Sequence, residues 1–416
     1  MKILAATSSV PMDALHRVSG EALSNAGTTE KTVYIIMAGG GTGGHIYPGL
    51  AVLEALQPSL INLRRPVKII WAATPRPIDQ RLLGSFDFIR QSIRPWNSNP
   101  FRWPGFYVAW HQTCHYWQGF FSEHQVAAVL ALGGYAAGAV AYEAARRKIP
   151  VGLLNPDALA GRANQFLMGR ADAIFTQWPL DSKTNHRFVS RTQVVGCPVR
   201  RTMVSIPRTT AATRLALHSD CKTLVITGAS LGAQTINRAI ALLLADPEIQ
   251  QFLNTTGGSR WQILHLAGLE HAAELRAHAD RLTTIPWKVL DYCDDMAAVW
   301  SMADLAITRA GAGTCAELAC MGVPAILMPY PFHKDRHQEA NAEILAVAGA
   351  AVIVHDAKND THNAAALKSM LLRLLSEPDR LADMAMAARL QARPQAAQAV
   401  ARWLLEQIQL QCGETK

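Results

Sequence analysis

Two stretches of the chain repeat one pattern of apolar and small residues. The first starts with the β-branched-rich run Val33–Ile36, passes through Gly39-Gly40-Gly41-Thr42-Gly43-Gly44, and goes on with helical spacing at Leu50, Leu53 and Leu56. The second starts at Leu224–Thr227, turns through small residues from Gly228 to Ala233, and goes on with Ile236, Ile240 and Leu243. A β-run, a small-residue turn and a helix together open a βαβ unit. The openings begin near Val33 and Thr223, too far apart for one small sheet. Further strand-like runs complete each half. They are Val67–Trp71, Ala128–Leu132, Val151–Leu154 and Ala173–Thr176 in the first, and Gln262–Leu266, Lys288–Leu290, Leu305–Thr308, Ala325–Pro329 and Ala351–Val354 in the second. Alternating strands and helices predict an α/β protein of two Rossmann-like, doubly wound parallel-sheet domains. The expected division is a loose tail or misplaced start over 1–31, a first domain over 32–199, a second over 200–375, and terminal helices over 376–416. The joint is expected within Val194–Met203, and Pro394 interrupts the terminal helices.

Composition narrows the class. Half of the 416 residues are hydrophobic and 17% are charged, which suits buried cores rather than disorder or a fibre. The net charge of +8 favours anionic partners without choosing among nucleotides, phospholipid surfaces and nucleic acid. No basic run or recognition motif supports nucleic acid. The seven cysteines are scattered and form no C-x-x-C, so reduced thiols are expected rather than a disulfide framework or zinc site. The longest uncharged stretch, Val126–Tyr142, is shorter and less apolar than the roughly 20 residues of a spanning helix.

Glycine turns feeding helices offer backbone N–H groups and a positive dipole end, which together bind phosphate. Neither turn is a G-x-x-x-x-G-K-[ST] loop, so a P-loop enzyme is disfavoured. No ribose-binding acid follows the first turn at the distance a nicotinamide dehydrogenase requires. The second half is denser in chemistry. Arg309-Ala310-Gly311-Ala312-Gly313-Thr314 is another strand-to-helix turn, with Glu317 expected in the first helical turn as a ribose ligand or a cap. His337 and Gln338 follow the next strand, and an amide suits sugar hydroxyls because it both donates and accepts. A turn for phosphate, an acid for ribose and an amide for sugar together fit a nucleotide-sugar. The acids of Asp291-Tyr292-Cys293-Asp294-Asp295 read more simply as helix caps than as metal ligands. His45 closes the first turn at a helix N-terminus, where it is a candidate base, a phosphate donor or a cap.

Between Ser92 and Glu123 four tryptophans, Trp96, Trp103, Trp110 and Trp117, recur every seven residues among Phe101, Phe106, Tyr107, Tyr116, Phe120 and Phe121, with Arg90, Arg94 and Arg102 nearby. The segment is either a bilayer interface or a core stripe. Pro100 and Pro104 rule out one continuous helix, while Gly105–Phe121 is predicted helical.

The stretches GGGTGGHIYPGLA, LGGYAAG, GCPVRRTM, GASLGAQTIN, RAGAGTCAEL and HQEANA occur in order between Val33 and Val354. Together they resemble glycosyltransferase family 28, in particular its bacterial cell-wall enzymes. The resemblance implies a GT-B fold with an interdomain cleft. It implies an inverting, metal-independent transfer of N-acetylglucosamine from UDP-N-acetylglucosamine to the 4-hydroxyl of a polyprenyl-pyrophosphate-linked muramyl-pentapeptide. No cofactor or nucleic acid is implied, and the enzyme would act as a peripheral protein on the cytoplasmic side of the inner membrane. Carried over by motif, Thr42, Gly43, Gly44, Arg200, Ser230, Cys293, Ala312, Gly313, Thr314, Cys315, Ala316, Glu317, His337 and Gln338 fall on the donor side, Tyr135 falls on the acceptor side, and Asn164 is a further substrate-binding position. Asp157 falls on a sugar-contact position and rivals His45 as base. The chain departs from the family where His-Glu-Gln-Asn is usual: it has Leu154, Asn155, Pro156 and Asp157, and Leu231 replaces a usual Gln. These changes leave open a related transferase for another lipid acceptor, or a non-catalytic nucleotide-sugar sensor.

Overall fold

The computed structural model describes residues 31–61, 63–96, 99–180, 186–228, 232–255, 260–282, 284–332, 335–377 and 379–413. The expected tail over 1–31 falls almost entirely outside them, as do Ser230 and Leu231.

The chain forms two compact units. The first holds a seven-stranded parallel sheet of β1 (Val33–Gly39), β2 (Val67–Ala73), β3 (Phe88–Arg90), β4 (Gln125–Gly133), β5 (Val151–Asn155), β6 (Ala173–Thr176) and β7 (Thr192–Val194). Its order is β3-β2-β1-β4-β5-β6-β7, every pair parallel. The second holds a six-stranded parallel sheet of β8 (Lys222–Thr227), β9 (Trp261–Leu266), β10 (Trp287–Leu290), β11 (Ala303–Thr308), β12 (Ala325–Leu327) and β13 (Ala351–Ile353), in the order β10-β9-β8-β11-β12-β13. Strand order reverses between β1 and β4 in one sheet and between β8 and β11 in the other. Open α/β sheets bind ligands at such points, beyond the strands' carboxyl ends. The small-residue turns after β1, β4, β8 and β11 lie there.

Apolar residues on both sides of the first sheet explain its continuous β-branched runs. Ile35, Met37, Trp71 and Leu130 pack on one side, and Ile36, Val129, Val140 and Ile174 on the other. Gly49 lets the helix Gly43–Leu60 close on the sheet, since a Cβ there would lie 2.6 Å from Leu132 and 2.7 Å from Trp71. Ile226, Ile236, Ile240, Ile263 and Ile307 form the matching layer of the second unit.

Four features differ from the sequence reading. The edge strands β3 and β7 have three residues each, too few to show a period. The helix predicted over Gly105–Phe121 runs from Trp103 to Glu123, because Pro104 sits in its first turn where no N–H partner is lost. The terminal helices are no separate unit: Asp360–Ser376 and Arg380–Leu390 belong to the second, while Ala396–Cys412 returns to the first and places Val400, Leu404 and Ile408 in its core. Pro156–Leu159, inside the expected first domain, groups with the second, and the later crossing falls between Arg200 and Arg201.

The aromatic segment divides between the two readings. Trp117 is fully buried and bonds Gln91 through its indole N–H at 3.2 Å, and Trp110 packs on Tyr142, Phe166 and the face of Gly138. Trp96 and Trp103 stack on each other and stay partly exposed beside Phe101, which is 91% exposed.

Candidate active site

In the first unit the turn after β1 rests on a buried carboxylate. Asp79 accepts from Gly41 N–H at 2.7 and 3.0 Å, from Thr74 N–H at 2.8 Å and from the Thr74 hydroxyl at 2.7 Å. A Cβ on Gly40 would lie 2.2 Å from this carboxylate, so glycine is required at that position. Part of the turn's donor capacity is therefore spent inside the protein, contrary to the expectation of a bare N–H cradle. Arg76 crosses above, bonding Gly41 O at 3.1 Å with its guanidinium 5.9 Å from the Tyr135 ring. Thr42 and Gly44 are exposed and Gly43 is buried.

His45 lies in the first turn of the helix Gly43–Leu60. Its Nδ1 is 3.1 Å from Gly40 O and 3.3 Å from the Thr42 hydroxyl. A carbonyl oxygen only accepts, so Nδ1 carries the proton and Nε2 carries the lone pair in the neutral ring. The ring lies against the second glycine pair: a Cβ on Gly134 would be 2.8 Å from its Cε1, and one on Gly133 3.2 Å from its Cδ2. Both glycines have positive φ, +100° at Gly133 and +73° at Gly134. Asn164, buried on the short helix Arg162–Met168, faces Gly133 as well. The Arg200 guanidinium sits 5.4 Å from the Tyr47 ring.

In the second unit, the helix Ala312–Met321 begins after an extended Gly311 and holds Ala312, Gly313, Thr314, Cys315 and Ala316 in its first turns. Glu317 is therefore not in the first turn, as the sequence suggested, but beyond it. The cap position is taken by Gly311, and Glu317 accepts from the Trp300 indole N–H at 2.9 Å. Its carboxylate is thus oriented by an aromatic neighbour rather than by the helix end. The Cys315 thiol is pushed up to about 12 by burial, with the Asp157 charge adding to it, so it is no nucleophile. Gln338 accepts from Tyr330 N–H at 3.0 Å, and His337 contacts Asp335 at 2.7 Å. Cys293 is half-buried in the loop after β10, and Asp295 two residues on caps the helix Met296–Met302 through Ala298 N–H.

Three residues in this unit have roles that the motifs did not assign, although Arg309 and Asn341 stand inside RAGAGTCAEL and HQEANA. Asn341 donates to Ala310 O at 3.0 Å and Asp157 Oδ1 at 2.9 Å, and accepts from Ala158 N–H at 2.8 Å. It thereby joins Asp157 to the turn after β11. Arg309, 5% exposed, donates to Met328 O at 2.9 Å and the Thr235 hydroxyl at 2.7 Å and pairs with Asp356 at 3.0 Å. Burial pulls the Arg309 pKa down against the Asp356 charge. Burial pushes Asp356 up, but hydrogen bonds from Thr235, Asn363 and Lys358 N–H, with the Arg309 charge, hold its carboxyl below the usual range. A spacing argument finds Arg309 beside RAGAGT but not Asp356, which lies far along the chain.

Models of the Glycosyltransferase family 28 N-terminal and C-terminal domains match residues 35–176 and 223–400. The UDP-N-acetylglucosamine--N-acetylmuramyl-(pentapeptide) pyrophosphoryl-undecaprenol N-acetylglucosamine transferase of Alkalilimnicola ehrlichii is 35% identical over 90% of this chain and 99% of its own. The chain belongs to glycosyltransferase family 28. An enzyme of the same name from Acidithiobacillus ferrooxidans is 33% identical over 89% of this chain and 97% of its own. Among solved structures, Acinetobacter baumannii MurG matches with a TM-score of 0.66 and 27% identity, covering 91% of this chain and all of that one. A UDP-GlcNAc 2-epimerase from Neisseria meningitidis, bound to UDP-GlcNAc, matches with a TM-score of 0.59 at 15% identity, a likeness of fold. Two Rossmann-like parallel-sheet units of the GT-B class are the architecture this family 28 chain shares with them.

Proposed function

We propose that this protein transfers N-acetylglucosamine from UDP-N-acetylglucosamine to the 4-hydroxyl of a polyprenyl-pyrophosphate-linked muramyl-pentapeptide, with inversion. The observation that carries the reading is that the turn Ala312–Thr314, Glu317 and Gln338 follow the carboxyl ends of the neighbouring strands β11 and β12, in a chain with full-length family relatives. Glu317 suits a ribose diol, and Gln338 suits sugar hydroxyls. The helix N-terminus at Ala312 is positive where leaving diphosphate gains charge. Ser230 and Arg200 remain assigned to that diphosphate by motif alone.

The transfer needs one base. The acceptor O–H proton passes to His45 Nε2, its oxygen bonds the anomeric carbon, and the bond to the UDP oxygen breaks with its electron pair leaving on the diphosphate. His45 suits the role because Gly40 O holds its proton on Nδ1. Asp157, tied to Asn341 within the donor-side unit, suits a sugar contact. In transfer assays His45→Ala is expected to lower kcat at least 100-fold and Asp157→Asn to raise donor KM more than it lowers kcat; the reverse pattern makes Asp157 the base. Donor binding with no UDP release on the muramyl acceptor would sink the transferase reading. Release only with a different lipid would reassign the acceptor.

We place the protein peripherally on the cytoplasmic side of the inner membrane. Among the described residues no helix is long and apolar enough to cross a membrane. Exposed Phe101, Trp103, Tyr107 and Val108, with Arg102 beside them, suit an interface. The double variant Phe101→Ser, Tyr107→Ser should lose at least half of its co-sedimentation with phosphatidylglycerol vesicles, while Trp110→Ala, a packing change, should not; equal loss in both means the aromatic tip has no interfacial role.

A further inference from the structure

We infer that Gln91 is a positioning residue, which fixes the gap between the two glycine turns that enclose the His45 ring. The inference rests on the transferase reading above, in which His45 takes the acceptor proton. No motif marks Gln91, which follows the short edge strand β3 and is 4% exposed.

Its main-chain N–H donates to Ala73 O at 2.9 Å. Ala73 ends β2, and the next residue, Thr74, shares the Asp79 carboxylate with Gly41 of the first turn. Its side-chain Nε2 donates to Ala136 O at 3.0 Å. Ala136 is the second residue of the helix Tyr135–Arg146, which starts directly after Gly134 of the second turn. One residue thus ties the support of the first turn to the support of the second. Its Oε1 accepts from the Trp117 indole N–H at 3.2 Å. An indole N–H only donates and a carbonyl only accepts, so the amide cannot be turned round, and both of its ends are bonded inside the protein.

The His45 ring makes this spacing matter. On one side its Nδ1 lies 3.1 Å from Gly40 O of the first turn. On the other, a Cβ on Gly134 would lie 2.8 Å from its Cε1, and one on Gly133 3.2 Å from its Cδ2. The pairing of β1 with β4 ends at Gly39 and Gly133, so the strand ladder holds the turns no further. Beyond it the second turn is carried by the helix Tyr135–Arg146, which packs over β1, β2 and β4. A small shift of that helix gives the ring room, and Nδ1 can then leave Gly40 O. A ring free to turn is aligned for proton transfer less often, and general-base catalysis depends on that alignment.

The test compares two variants. Gln91→Met keeps the side-chain length and removes both side-chain hydrogen bonds. Trp117→Phe removes the indole N–H, leaves a cavity, and keeps the bond from Gln91 to Ala136. Trp117→Phe should therefore have the lower urea midpoint and yet keep kcat within twofold of wild type. Gln91→Met should lose at least tenfold in kcat with donor KM within twofold. The ring nitrogen resonances of His45, assigned by their loss in His45→Gln, should show the Nδ1–H form alone in the wild type and in Trp117→Phe, and both neutral forms in Gln91→Met. Unchanged kcat in Gln91→Met, or a loss with the ring still in one form, would overturn the inference and leave the transferase reading intact. If Gln91→Met fails to fold, Gln91→Glu takes its place above neutral pH, where the carboxylate accepts from Trp117 but has no proton for Ala136. It must show the same tenfold loss, and kcat within twofold there would overturn the inference. A wild type that transfers nothing to the lipid acceptor would overturn both readings.

Discussion

The turn after β1 and the turn after β11 each border the switch point of their own sheet, from opposite sides, and they rest on opposite charges. Beneath the first lies the Asp79 carboxylate, bound to Gly41 and Thr74. Beneath the second lies the Arg309 guanidinium, which holds the ends of β12 and the helix Gln234–Ala245 with Asp356 as counter-ion. An anion under a glycine turn consumes its N–H donors and repels phosphate. A cation under one leaves the helix N-terminus electropositive. Buried charge rather than glycine content separates the two turns.

The contrast is broken most strongly at Arg309. Arg309→Met leaves Asp356 buried without its partner, and should cost about 3–5 kcal/mol of second-unit stability. The double variant Arg309→Met, Asp356→Leu should recover at least half of that in urea unfolding; additive losses would show that the two charges act independently.

Asp79→Ala comes next. It strips Gly41 and Thr74 of their acceptor, and should cost roughly 3 kcal/mol in the first unit while leaving donor KM within twofold. A large rise in donor KM would mean that the first turn, not the second, carries the nucleotide.

The smallest effect depends on pH and belongs to the second unit. His265 on β9 is fully buried, with Nε2 donating to Asn237 Oδ1 at 3.0 Å and Nδ1 without a partner, and burial lowers its pKa to about 3. The fold holds the neutral ring, so its contribution is complete above the ordinary value near 6.5 and is lost as pH falls from there toward 3. At pH 5 this amounts to roughly 2 kcal/mol. Peptide-resolved hydrogen exchange should show the loss in β8–β10 and not in β1–β4; equal loss in both units would point to a different group.

Much of this was legible from residues alone. The apolar runs marked eleven of the strands, most of them buried along their length and β10 and β13 only partly so, and the small-residue turns marked both switch points. What escaped depends on contacts between distant positions. Asp79 and Asp356 have no motif, and Asn341 stands in HQEANA without an assigned role; only folding brings them to the turns. The place of Glu317 hung on where its helix starts, which an extended Gly311 decides and a propensity argument does not. The aromatic heptad could not separate the two readings because it is mixed: Trp117 and Phe121 of the helix Trp103–Glu123 are buried while Tyr107 and Val108 are exposed.

The return of the helix Ala396–Cys412 to the first unit bears on biogenesis. Val400, Leu404 and Ile408 are made after the whole of the second unit's chain, yet they pack in the core that holds Val33 of the first strand. The usual amino-terminal-first order of domain completion therefore cannot hold here, because all of the second unit's residues are made before the first unit's last helix. Until that helix is made, the core positions that Val400, Leu404 and Ile408 fill lack their partner.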